Sequence, residues 1–312
     1  MPFAAVCASH APLILEDQTP APQRDLFLSH MRAAGDWIRA FAPDLIIEFA
    51  PDHFNGFFYD LMPNFCVGLA AESIGDWRTG RGPLIVPTDL ALGACEAVRT
   101  AGVDVDLSYQ MKVDHGFTQL LELMLGRIDA YPVIPVMINC AAPPRPAFQR
   151  VRLLGEAVGH FARAYGQRVL FVGSGGLSHD PPMPQIEGAV GTVREAIING
   201  RNSSAHDRES RENRVVKAAL DFVANRGVSR PPDAAWDQAF LGLLKKKTLA
   251  EVDHWSEQTV TIAAGCGGHE VRTWIAAFAA LDAASGGDYQ SELEFYEVVP
   301  EWITGMGIIR AR

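Results

Sequence analysis

The sequence predicts a three-layer α/β fold, and three observations carry that prediction. Short apolar runs end in turn residues, amphipathic helical stretches lie between them, and the composition suits a large core. The first run, 3–9, is rich in Val and Phe and stops at a Ser-His pair. Residues 25–41 follow as a helix, with Leu26, Met31, Trp37, Ile38 and Phe41 on one stripe. The run 45–50 is the second strand, since a continuous apolar stretch of that length suits a strand buried on both faces. Residues 89–100 form a helix opened by Thr88 or Asp89 as cap and closed near Gly102. Strands at 133–138 and 168–173 and helices at 148–165 and 208–225 continue the alternation. Beyond Gly227 the texture changes: 227–233 is polar and Pro-rich like a linker, and the rest is expected to be mainly helical, with 269–284 the longest element.

Bulk properties narrow the class. Hydrophobic residues make up 48% and charged residues 21% of the 312, the balance of a soluble globular enzyme. The 27 basic and 37 acidic residues leave a net charge of −10, which argues against a nucleic acid or an anionic membrane as partner. An anionic small substrate stays open, because a local Arg or Lys overrides the global sign. Five cysteines, odd in number and without a CxxC pair, favour neither a disulfide framework nor a cysteine zinc site and suit a reducing cytoplasm. The opening MPFAAVCASHAPLILED lacks the positive region of a signal peptide. No run approaches the ~18 apolar residues of a membrane span. A cytoplasmic protein is expected.

Chemistry concentrates around the histidines. His10, His53 and His179 each follow an apolar run, and ligands bind at the carboxyl ends of strands in open α/β sheets. His115, between Asp114 and Gly116, marks a loop entering a helix, and His269 with Glu270 marks the start of the long one. Any one of these taken singly is more often a hydrogen-bonded structural residue. Glu270 in a first helical turn can simply complement the helix dipole, and Asp52 and Asp114 can orient turns. The GSGG run at 173–176 lacks the Lys-Ser/Thr that a phosphate loop needs, so its glycines are read as places of close backbone approach. His30, His160, His206 and His254 are structural or solvated, the lysines at 245–247 are an exposed helix end, and Cys7 and Cys66 are core residues. Ser174 and Ser178 lie outside any GxSxG elbow, against a serine hydrolase. Two histidines with one carboxylate form a metal set with open positions, suited to non-haem iron(II). Spacing alone does not select that set.

Motifs do. SHAPL, PDHFNGFFYD, QMKVDHGFTQ, VLFVGSGGLSHDPP, FQRVRLLGEAVG, WDQAF, HEVRTWIAAFAAL and PEWITGMG, in this order, resemble the class III extradiol ring-cleavage dioxygenases, the family of the protocatechuate 4,5-dioxygenase catalytic subunit. The resemblance covers nearly the whole chain and is looser across 183–235, whose polar helices are read as peripheral. It implies an α/β/α sandwich with a central mixed sheet. It implies His10, His53 and Glu270 as ligands of Fe(2+), with His179 as base and His115 as proton donor. A metal joining Glu270 to the strand ends favours one domain over 1–312, its part from about 234 packed on the sheet. The implied substrates are O2 and a catechol with a carboxylated side chain, 3-(2,3-dihydroxyphenyl)propionate or 2,3-dihydroxycinnamate, opened to a 2-hydroxy-6-oxo dienoate. A homo-oligomer is expected. The alternatives are a zinc-dependent hydrolase on the same ligands or a non-catalytic binding module on the same fold.

Overall fold

Parallel strands joined by crossover helices build the centre of the molecule. The computed structural model describes residues 2–202, 204–227 and 229–312. In chain order the elements begin with β1 (Phe3–Ala8), α1 (Arg24–Phe41) and β2 (Leu45–Ala50). Short pieces follow: β3 (Phe65–Gly68), β4 (Ala71–Ile74), β5 (Arg81–Pro83), α2 (Thr88–Thr100), β6 (Asp106–Ser108), β7 (Met111–Val113) and α3 (His115–Leu125). Then come β8 (Val133–Ile138), α4 (Phe148–Tyr165), β9 (Val169–Ser174), α5 (Gly191–Asn199) and α6 (Ala205–Val223). The chain ends with α7 (Ala234–Lys246), α8 (Glu257–Ala264), α9 (Val271–Ser285), β10 (Ser291–Val299) and β11 (Thr304–Ala311).

Eight strands form one mixed sheet in the order β10-β11-β1-β9-β2-β8-β3-β6, with a parallel core from β1 to β8. β4, β5 and β7 form a separate three-stranded sheet. Alternation along β1 shows the layering. Phe3, Ala5 and Cys7 join α2, α4, α7 and α9 in one buried cluster; Ala4, Val6 and Ala8 join α1, α3 and α6 in the other. The expected α/β/α sandwich with a mixed central sheet is therefore observed.

The four long strands and the helices at 24–41 and 148–165 fall within a residue of expectation. The cap expected from Thr88 or Asp89 is not made. Thr88 Oγ1 donates to the Leu69 carbonyl at 3.0 Å, and α2 starts directly after Pro87. The last third is not mainly helical to its end, because β10 and β11 close the sheet beside β1. β10 is an edge strand and carries charge, as edges do. Its Glu292 pairs with Arg310 across the hairpin at 2.9 Å. Between β9 and α4 lies α9, buried along most of its length. A Cβ at Gly155 or Gly159 of α4 would come within 2.3 Å of an α9 carbonyl, so only glycine lets these helices approach so closely. No helix among the described residues is long and apolar enough to cross a membrane.

Candidate metal centre

Because β1, β9 and β2 are adjacent and parallel, their carboxyl ends open on one edge. Just past those ends stand His10, the loop carrying His179, and His53. Glu270, in the short turn before α9, and His115, at the first position of α3, enter from either side. All five line one cavity of about 580 Å³. The Glu270 carboxylate is its anionic centre: Oε2 lies 3.5 Å from His10 Nε2, and Oε1 lies 3.2 Å from His53 Nε2 and 3.5 Å from His179 Nε2. The rings of His10 and His53 stand at 90° to each other, whereas those of His53 and His115 stack with centroids 4.4 Å apart.

Each imidazole is held at Nδ1 by an acceptor. Ser174 Oγ donates to the Gly116 carbonyl (2.5 Å) and so accepts from His10 Nδ1–H (2.9 Å). Asp114 accepts from His53 Nδ1–H (3.1 Å) and from the His53 backbone N–H (2.9 Å) while capping α3 through Gly116. Asp76 does both for His115, at 2.6 Å to the ring and 2.8 Å to the backbone. His179 Nδ1–H donates to the Leu177 carbonyl at 2.8 Å. These partners select one tautomer, with the Nε2 lone pair turned inward.

Such an arrangement is electrostatically incomplete. The Nε2 atoms of three imidazoles converge on one carboxylate, and protons on the rings or a cation among them complete the contacts. Burial raises the Glu270 carboxyl, but the surrounding histidines outweigh it and hold its pKa well below the ordinary value. Burial dominates at His10 and takes it down to about 3, so this ring stays neutral and ready to ligate. His53 goes the other way: burial opposes its charge, yet Asp114 and Glu270 raise its pKa well above the usual value. Burial also opposes charge on His179, and Glu270 raises it. A site that raises two imidazoles and depresses a third around one carboxylate suits a bound cation. Single donor atoms of His10, His53 and His115 also lie within 4.8 Å of one another, as do those of Asp76, Asp114 and His115. Both carboxylates of the second group are engaged by the histidine N–H groups just described.

The other sequence-level expectations divide cleanly. Asp52 does orient a turn, accepting from the backbone of Asn55, Gly56 and Phe57. The glycines after β9 allow close approach: a Cβ at Gly176 would meet the His179 ring at 2.6 Å. His269 turns away from the cavity, accepting from Arg272 at Nδ1 (2.6 Å) and contacting Thr261 at Nε2 (2.7 Å), its pKa lowered to about 2 by burial and then by Arg272. None of His30, His160, His206 and His254 lines the cavity.

Three further residues were not singled out from sequence. Asp76 sits in a turn where Trp77 and Arg78 have positive φ, and the strained turn aims its carboxylate at His115. Asp237, inside the quoted WDQAF, accepts from Ser178 backbone N–H (2.7 Å) and hydroxyl (2.9 Å) and from Tyr296 (2.9 Å), fixing the loop that carries His179. Arg211 of α6 lines the cavity, as does Asp76. The last is a correction, since the helices of 183–235 were read as peripheral. Ile197 of α5 and Arg208, Arg211 and Arg214 of α6 form a wall of the site.

With the geometry in view, comparison with known proteins is direct. Residues 4–307 match the family described as catalytic LigB subunit of aromatic ring-opening dioxygenase. The chain is 48% identical over 312 residues to a 2,3-dihydroxyphenylpropionate/2,3-dihydroxicinnamic acid 1,2-dioxygenase of Cupriavidus pinatubonensis, covering 100% of this chain and 98% of that protein. Proteins of the same name from Paraburkholderia xenovorans (over 313 residues) and Rhodococcus jostii (over 311) are each 47% identical, again over 100% of this chain and 98% of theirs. A crystal structure of an uncharacterized protein, JW3007, from Escherichia coli K12 shares the fold at 15% identity, with a TM-score of 0.50 over 98% of both chains.

Proposed function

The chain belongs to the family of the catalytic LigB subunit of aromatic ring-opening dioxygenase, and from that premise we propose that it uses iron(II) and O2 to open a carboxylated catechol, foremost 3-(2,3-dihydroxyphenyl)propionate. That it is a ring-cleaving dioxygenase of the extradiol type follows from the family and from the names of its relatives. The metal, the ligand set and the preferred catechol are the reading offered here.

One observation carries it: five side chains from five separate segments converge on one cavity with every Nε2 turned inward. His10, His53 and Glu270 are the ligands in this reading. His10 is perpendicular to both His53 and His115, while the stacked rings of His53 and His115 send their in-plane lone pairs along near-parallel planes; His53, whose Nε2 lies 3.2 Å from Glu270, is the one taken as ligand. Glu270 supplies the third position and the charge, completing two histidines and a carboxylate with open positions. Bound there, iron(II) would supply open positions for substrate and O2 and a route for electrons between them.

The remaining groups handle protons. His179, with Nδ1–H committed to the Leu177 carbonyl, offers its Nε2 lone pair to a catechol hydroxyl and is the base. At His115 the Asp76 carboxylate holds Nδ1–H throughout, leaving Nε2 to take up a proton and then deliver it when the ring opens. Trp77, packed edge-on to His115 with centroids 6.2 Å apart, helps shield that transfer from water.

The test is metal analysis of anaerobically purified protein together with O2 uptake on a panel of catechols, the yellow ring-opened product being followed spectroscopically. Iron in stoichiometric amount and O2 uptake greatest with the propionate-bearing catechol are expected. Stoichiometric zinc with no O2 uptake would sink the reading and favour a hydrolase.

A further inference from the structure

On α6, Arg208, Arg211 and Arg214 are spaced by three, which puts them on one helix face, and all three line the cavity. They differ in their surroundings. Arg214 is exposed, while Arg211 is half-buried. Arg211 donates to the Phe54 carbonyl (2.9 Å) and to Asn55 Oδ1 (3.3 Å), both neutral acceptors. Among the described residues no carboxylate forms an ion pair with it, and the acids around it are engaged elsewhere. Glu270 serves the histidines, Asp76 holds His115, and Glu212 accepts the Trp77 N–H at 3.2 Å.

Arg211 is also tied to the centre by short links. Asn55, which accepts from Arg211, donates to Asp114 Oδ2 at 2.9 Å, and that same oxygen holds His53. Phe54, the other acceptor, is the residue after His53. The guanidinium therefore connects to His53 through two side chains, Asn55 and Asp114, and lines the same cavity as the proposed ligands. A second, smaller pocket of about 140 Å³ shares Arg208 and Arg211 with the cavity; there Lys112 and Arg201 are already paired, with Glu72 and Asp60, whereas among the described residues Arg211 is not paired with a carboxylate.

Resting on the ring-cleavage reading of this cavity, we propose that Arg211 is the anchor for the carboxylate of the substrate's side chain. A half-buried guanidinium that hydrogen-bonds only neutral groups retains its charge for an anion, and its planar fork matches a carboxylate in two contacts. Burial, reinforced by Arg208 and Arg214, lowers the Arg211 pKa, the condition that an arriving anion relieves. Arg211 is on this argument a specificity-determining residue that touches substrate.

Two measurements on the full chain test it. The first is calorimetric binding of 3-phenylpropionate, which has the carboxylate and no diol, to wild type, Arg211→Met and Arg211→Lys. The Met variant should bind it about 10- to 100-fold more weakly, the worth of a charge-assisted hydrogen bond, and the Lys variant should lose less. The second is the ratio of kcat/KM for 3-(2,3-dihydroxyphenyl)propionate to that for uncharged 3-propylcatechol, which should fall by a similar factor in Arg211→Met. Equal losses on both catechols, with 3-phenylpropionate binding unchanged, would make Arg211 a strut for the His53 loop and overturn the proposal. If wild type opens neither catechol, the ring-cleavage reading fails instead, and the calorimetry alone decides whether Arg211 holds a carboxylate.

Discussion

The rim of strand ends and the α5–α6 wall face each other across one cavity, and they are held by different means. On the rim, each imidazole hangs from a turn a few residues past a central strand or at a helix start, and its Nδ1 is fixed by a buried acceptor. On the wall, α5 meets the rim through two backbone bonds, from Tyr59 and Asp60 to the Ile197 and Ile198 carbonyls, both at 2.9 Å. α6 adds Val216 and Ala219 to the core, packs Val215, Ala218 and Phe222 against it, and turns Arg208, Arg211 and Arg214 to the cavity. The difference separates two tasks. Metal and proton chemistry needs atoms fixed to fractions of an ångström by a supporting shell. Choice among substrates needs only a wall whose side chains can vary, and a helix joined to the sheet by few bonds supplies it.

Substitutions on the two sides should therefore differ in kind as well as size. The largest effect belongs to Glu270→Ala, which removes the carboxylate shared by three histidines. Bound metal and O2 uptake should both fall to background in protein that still folds by circular dichroism. Normal metal content in that variant would place the centre elsewhere.

Next come His115→Gln and His179→Gln, each expected to cost about 10²–10⁴-fold in kcat while metal content is retained. His179→Gln should recover part of its loss on a more acidic catechol, because deprotonation is its task; His115→Gln should not. Parallel loss of metal and activity in both would make these residues ligands. Asp76→Asn should follow, at about 10- to 100-fold, since it leaves His115 in place but weakens the acceptor that orients it. That variant should lower kcat with little change in KM. A rise in KM alone would assign Asp76 to the pocket wall.

The same division explains what the sequence could reveal. The runs at 45–50 and 133–138 match strands because strands covered on both faces must be continuously apolar. The convergence of His10, His53 and His179 followed from their places after such runs. β10 was hidden by its position at the edge, where Glu292, Glu294 and Glu297 interrupt the apolar pattern that marks a central strand. β4, β5 and β7 have three or four residues each, too few for any period to show. Asp76 lay beyond reach because its partner is 39 residues away and nothing local announces the pairing. α6 was misjudged for a physical reason. A helix alternating Arg and Glu reads as solvated on every face, and the spacing of Arg208, Arg211 and Arg214 was the one sign that a face had a target.

The smallest expected effect lies at the outer end of that face, and it tests whether the wall acts through field or through contact. Arg214 is exposed and lines the mouth rather than the depth of the cavity. An exposed charge acts on an incoming anion mainly through space, worth about 0.2–1 kcal/mol, which is at most about fivefold in kcat/KM. Salt screens such an interaction over about 8 Å at physiological ionic strength. Arg214→Gln should therefore lower kcat/KM for the propionate-bearing catechol a few-fold at low salt, leave kcat almost untouched, and lose its effect as sodium chloride is added. The uncharged 3-propylcatechol should report no salt dependence. A loss in kcat that survives high salt would mean that Arg214 touches the bound substrate, and the distinction between a fixed rim and a steering wall would have to be redrawn around α6.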